Sequence, residues 1–205
     1  MKDKCSLVVK HSNVQRLADL AGIMNDLRLT VLACDLFLAH PNIGSQEIIL
    51  RSKAIASFAI LTYFRTLANG VRSGITAEQI SRLPQEHTDT HHYLKNVRDQ
   101  YLAHSVNNQE ENLVEVMFTE DGSGIEELST SHTRPATFKN EDISSLRELT
   151  ESLMQIVDEE WETEFDLAWD FVESLTEDER KKFLSEHRPP RTTSYLQSKR
   201  RKLSG

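Results

Sequence analysis

The chain has 205 residues, 27% of them charged, and a formal net charge of -8. That length suffices for one sizeable core, and we expect a single domain over residues 1–186 followed by a basic tail over 187–205. The acidity argues against a protein that coats duplex nucleic acid, which needs many clustered cations. With two cysteines, Cys5 and Cys34, there is no disulfide framework, and both are expected as buried free thiols. The opening Met1-Lys-Asp-Lys-Cys is too polar for a secretory signal. The most apolar run, Ala54 to Phe64, is far shorter than the ~20 residues a bilayer requires. A cytoplasmic protein with no membrane partner is the expectation.

In chain order, a first helix is predicted over 13–39, from Leu17, Leu20, Ala21, Met24, Leu27, Val31, Cys34 and Leu38 at steps of three and four. Pro41-Asn-Ile-Gly44 breaks it. Ser45 caps a second helix running to about Asn69-Gly70, with Gly70 as a left-handed C-cap. Ile48, Ile55, Phe58, Ala59, Leu61 and Phe64 give that helix a broad apolar stripe, as expected of a buried central helix. A short third helix begins near Thr76 and is interrupted at Pro84, and residues 86 to about 104 continue helically. Leu113, Val114, Val116 and Phe118 then read as a strand. Glu120-Asp-Gly-Ser-Gly124 is a turn, and a second strand covers roughly Ile125 to Ser131. Such a hairpin, at about 112–131, needs a helix to cover it. Asn140 caps a long helix from Asp142 to about Leu175, with Trp161, Phe165 and Trp169 as core or dimer contacts. Thr176-Glu-Asp-Glu179 caps a last helix ending at Ser185.

Charge is unevenly spread. Residues 1–140 hold 14 basic and 16 acidic groups, net -2; residues 141–186 hold 4 and 16, net -12; residues 187–205 hold 6 and none, net +6. Two prolines, six cations and few apolar groups make the last segment a flexible tail.

The segment with chemical content is Asn96-Val-Arg98-Asp99-Gln-Tyr101-Leu-Ala-His104-Ser105. Histidine titrates near neutrality and suits general acid–base work. Arginine keeps its charge and presents a planar fork to a phosphorane-like transition state. Asp99 can orient an imidazole or a substrate hydroxyl. On a regular helix Arg98 and His104, six apart, differ by about 240°. The helix therefore ends or distorts between them, or the two groups meet across a dimer. His87, His91 and His92 include an i, i+4 pair, but no further ligand completes a metal site, and a solvated polar face is the expected reading. Arg65 and Arg72 are candidate phosphate contacts beside this segment, with Tyr101 as a further candidate contact inside it.

An Arg, a polar neighbour and a His after four to six residues resembles the ribonuclease motif of the HEPN superfamily. The flanking Arg-Asp-x3-Ala-His-Ser-Val-Asn, with Tyr63-Phe-Arg-Thr-Leu67 and Gly70-Val-Arg-Ser-Gly74 upstream, is similar to HEPN-like proteins of the bacterial abortive-infection kind. The resemblance implies a mainly α fold, an antiparallel helical bundle with a small β-hairpin insertion and a disordered basic C-terminal tail. It implies metal-independent cleavage of single-stranded RNA with no cofactor, by Arg98, His104 and Asp99. It also implies a homodimer whose two motifs face one cleft, a toxin or phage-defence setting, and an antitoxin or regulatory partner. Some family members carry a Tyr two residues after the His, modified by a partner nucleotidyltransferase. Here that position is Val106, and Tyr101 lies inside the motif instead. The competing readings are an inactive RNA-binding or regulatory module, and an interaction protein acting through the acidic helix 142–175.

Overall fold

The computed structural model describes residues 9, 11–40, 44–70, 72–102, 111–133 and 138–185. Cys5, His104, Val106 and the tail lie outside them. The chain is mainly helical: α1 (Ser12–Leu38), α2 (Gln46–Arg65), α3 (Ala77–Ser81), α4 (Gln85–Val97), a π-helical turn (Arg98–Leu102), α5 (Asn140–Ser174) and α6 (Glu177–Ser185). One antiparallel hairpin is formed by β1 (Glu111–Phe118) and β2 (Ile125–Thr133).

Two compact units share these elements. The first comprises residues 1–28, 65–83 and 151–205; the second comprises 29–64 and 84–150. Within the first, the buried apolar side chains are Leu20, Ile23, Met24 and Leu27 of α1, Ile75, Ile80 and Leu83, and Leu153, Ile156, Val157 and Ala168 of α5. Within the second they are Ala33, Cys34 and Phe37, Ala56, Ala59, Ile60, Tyr63 and Phe64, Leu94 and Val97, and Ile143, Leu146 and Leu149. The steps of three and four in each set are those of a helix face turned inward.

Local chemistry fixes the ends. Ser45 accepts the backbone N–H of Ile48 at the start of α2. Thr76 and Gln79 form a reciprocal capping box on α3. Thr176 and Glu179 do the same on α6. In the hairpin, Val114 pairs with Thr130 and Val116 with Leu128, with a bulge between Met117 and Phe118. Gly122 takes φ of 69°, the left-handed region that suits a residue without Cβ. Hydrogen bonds from Thr119 and Ser123 hold the Asp121 carboxyl well below the usual carboxylate range.

Three expectations are corrected. The second helix stops at Arg65, and Gly70 is not left-handed. The chain leaves the helix because Thr66 accepts the N–H of Ile75 at 2.8 Å and Asn69 accepts that of Gly74 at 3.2 Å, which folds the returning segment against it. Phe58 and Leu61 of the expected buried stripe are exposed, as is Leu50, because α2 turns in the face of Ala56, Ala59, Ile60 and Tyr63. No described helix covers the hairpin's apolar face: Val114, Phe118, Ile125 and Leu128 are all exposed.

Candidate functional site

Helix α4 places His87, His91, Leu94 and Arg98 at steps of four, three and four, on one face. His91 and Leu94 are buried, so this face looks inward, and the expected solvated surface is not what His91 occupies. Its Nδ1 lies 2.9 Å from the hydroxyl of Tyr63, itself wholly buried. Phe64, the next residue of α2, packs edge-on to Tyr63 and stands 5.5 Å, ring to ring, from His91. Burial first, then electrostatic repulsion from the neighbouring His92, Lys95 and Arg98, depresses the His91 pKa to about 4. Burial also lifts the Tyr63 phenol above its ordinary value. Both groups are therefore neutral near pH 7 and share one hydrogen bond. His91 is thus held inside the helical packing, 8% exposed. His87 Nδ1 is buried without a hydrogen-bond partner among the described residues. Nor do those residues include a cluster of three or more His, Cys, Asp or Glu able to hold a metal ion.

At Arg98 the α-helix passes into the π-helical turn. Such turns widen the i→i−4 ladder to i→i−5 and recur at functional sites. A distortion, one of the alternatives that the six-residue step to His104 leaves open, begins at Arg98, and His104 lies outside the described residues. The Arg98 guanidinium sits 4.6 Å above the Phe64 ring, a cation–π contact. Its Nε donates to Asp99 Oδ1 at 2.7 Å, and its Nη2 donates to the same oxygen. Asp99 thus orients the arginine among the described groups. The Arg98 side chain keeps 29% of its exposure, enough to offer the remaining edge of the fork to solvent. Tyr101 belongs to the turn, its side chain outside the described set, as is all of His104.

Arg65 and Arg72 belong to the first unit, where both reach Asp26. Arg65 Nε donates to Asp26 Oδ2 at 3.0 Å and its Nη2 donates to Oδ1; Arg72 Nη2 donates to Oδ2. The Asp26 side chain is 1% exposed. Burial opposes its ionisation, and the bonds from Arg65 and Arg72 overcome that and lower its pKa. Gly22 makes room for this arrangement, since a Cβ there would stand 2.8 Å from Arg72 Nη1. Two arginines on one carboxylate leave one surplus positive charge, on Arg side chains 66% and 21% exposed.

The same unit carries polar ties that the sequence pattern did not single out. Asp19, buried on α1, accepts the N–H of Ser73 at 2.9 Å. Glu160 of α5 accepts both Nε and Nη2 of Arg16, and Nε2 of Gln79. The only local signal was an acidic residue, Asp19 or Asp26, on the face that also bears Leu20, Ile23 and Leu27.

No family model, no curated protein and no solved structure matches the chain. No described helix is long and apolar enough to cross a membrane.

Proposed function

We propose that the chain is a HEPN-like endoribonuclease that cleaves single-stranded RNA without a metal, through a site composed from two copies. The observation that carries this reading is Arg98. It stands where α4 gives way to the π-helical turn, steadied by Phe64 and Asp99, partly open to solvent, and six residues ahead of His104. In the proposed reaction the imidazole of one His104 takes the proton of the substrate 2′-hydroxyl. The freed oxygen attacks the adjacent phosphorus, and the bond from phosphorus to the 5′-oxygen breaks. That oxygen leaves with a proton from the His104 of the second copy. The products are a 2′,3′-cyclic phosphate and a 5′-hydroxyl. Arg98 stabilises the charge gathering on the phosphoryl oxygens. Arg65 and Arg72 serve as RNA contacts through their surplus charge, together with Tyr101.

The antiparallel bundle belongs to the same proposal, as do the cytoplasmic setting, the toxin or phage-defence role and the antitoxin or regulatory partner. Support for the dimer comes from exposed apolar side chains of the second unit, Leu32 and Leu36 on α1 and Leu50, Phe58 and Leu61 on α2, which suit a subunit contact. The test is cleavage of mixed RNA by purified protein. His104→Ala and Arg98→Ala should each lower the rate by about 10²-fold or more. A His104→Ala protein that cuts as fast as wild type refutes the reading.

A second reading, an RNA-binding or interaction module without activity, is favoured by one feature. Two donors of the Arg98 fork are already committed to Asp99. Binding of RNA without cleavage would select it.

A further inference from the structure

The C-terminal half of α5 has two unlike sides. On one side Glu160 is bonded to Arg16 and Gln79, and Glu159 to Arg82. On the other, Asp158, Glu162, Phe165, Trp169, Val172 and Glu173 fall within one arc at 100° per residue. All six are exposed. Phe165 and Trp169, one turn apart, stack at 6.2 Å between ring centres. They are 46% and 57% exposed, so this aromatic pair is not part of a core. Neither Asp158, Glu162 and Glu173 on this arc nor Asp166 and Asp170 beside it make an ion pair among the described residues. This side is thus an apolar strip edged by uncompensated carboxylates. It asks for an occupant that is basic and carries a few apolar side chains.

The chain contains such a segment. Residues 186–205 follow α6, and within them Arg188, Arg191, Lys199, Arg200, Arg201 and Lys202 supply six cations against the single carboxylate of Glu186. Tyr195, Leu196 and Leu203 are their apolar companions. The geometry permits contact within one molecule. Arg180 of α6 donates to the carbonyl of Glu173 at 2.9 Å, which ties α6 to the end of α5. Twenty residues extend up to about 65 Å, while the arc from Asp158 to Glu173 is only about 23 Å long. A segment too polar to fold by itself can order on a complementary surface.

We infer that the basic segment 187–205 docks in cis on the acidic, aromatic side of α5, with Tyr195 and Leu196 against Phe165 and Trp169 and the Lys199–Lys202 cations among the carboxylates. The inference is independent of the ribonuclease reading, and its test does not involve RNA.

Trp161 and Trp169 are the chain's two tryptophans, and both lie on the C-terminal half of α5, so their fluorescence reports on this surface. The experiment uses the full chain at micromolar concentration and low salt. Acrylamide should quench a Lys199→Glu, Arg200→Glu, Arg201→Glu, Lys202→Glu variant roughly two-fold more steeply than wild type. Molar salt should bring wild type to the variant's level and leave the variant unchanged, because screening removes the attraction between exposed charges. On wild type, a zero-length carbodiimide cross-linker should join Lys199 or Lys202 to Glu162, Asp166 or Glu173 within one chain. Equal quenching of the two proteins, with no such intramolecular cross-link in wild type, overturns the inference. Cross-links found only in a dimer band, or protection that rises with protein concentration, also overturn it and assign the surface to a second copy.

Discussion

Acidification should destabilise this protein through His91, starting at a higher pH than the ordinary values of Asp26 and Glu179. Unfolded, the imidazole titrates near 6.5; folded, burial and the cations around it bring that to about 4. Between these values the unfolded chain binds the extra proton and the folded chain does not, so stability falls as pH falls. The contribution is fully present above 6.5, is lost progressively down to about 4, and changes no further below that. A shift of two and a half units at 1.36 kcal/mol each amounts to about 3 kcal/mol, a large part of a typical domain's stability. Asp26 and Glu179 have depressed values as well. Their ordinary values are 3.8 and 4.5, so what they contribute is lost only below that range. The assay is urea unfolding followed by circular dichroism at half-unit steps from pH 7.5 to 4.5. His91→Gln keeps a partner for the Tyr63 hydroxyl and cannot titrate. Wild type should lose roughly 2–3 kcal/mol relative to that variant across the range. Parallel curves, or an NMR titration of His91 centred near 6.5, would refute the reasoning.

The Asp26 cluster predicts an order of effects on thermal melting. Removal of Arg72, the less exposed partner, should cost about 2 kcal/mol because it takes a charge-assisted hydrogen bond from the buried Asp26 carboxylate. Arg65→Ala should cost about 1 kcal/mol, since that side chain is largely in water; the reverse order would contradict the arrangement. A Cβ on Gly74 would stand 2.8 Å from backbone atoms of Thr66 and Leu67, so Gly74→Ala should cost about 1–3 kcal/mol in denaturant titrations. Gly70→Ala, with nothing within 4 Å, should stay within about 0.5 kcal/mol. In RNA cleavage assays Arg98→Lys should remain close to the Arg98→Ala level, because an ammonium lacks the planar fork. Asp99→Asn should be milder than either, and a loss as deep as that of Arg98→Ala would give Asp99 a direct part in the chemistry.

What was legible in the sequence was local. Thr76, and Thr176 with Glu179, announce helix starts from neighbouring residues alone. Asp121-Gly122 between alternating apolar residues announces the hairpin. The six-residue step from Arg98 to His104 asked for a helix that ends or distorts, or for a dimer contact, and a π-helical turn begins at Arg98. What was not legible depends on partners far along the chain. His91 is buried because Tyr63, 28 residues earlier, meets its ring nitrogen. Arg65 and Arg72 read as candidate phosphate contacts, yet their partner Asp26 lies 39 and 46 residues before them. The end of α2 was misplaced for the same reason. Gly70 carries the local signature of a helix stop, but the contacts of Thr66 and Asn69 with Gly74 and Ile75 decide the boundary. Phe58 and Leu61 fit an apolar stripe by composition, and no local pattern says which of several apolar faces a helix turns inward.

The central claim is the chemistry assigned to Arg98 and His104, and the ends of cleaved RNA test it most directly. A single-stranded RNA of defined sequence is incubated with the purified full chain in the presence of a chelator, and the fragments are weighed by mass spectrometry. The account predicts 2′,3′-cyclic phosphate and 5′-hydroxyl ends, no product when the nucleotide at the cut site is 2′-deoxy, and none with His104→Ala. Intact RNA, or fragments ending in 3′-hydroxyl and 5′-phosphate, would contradict it.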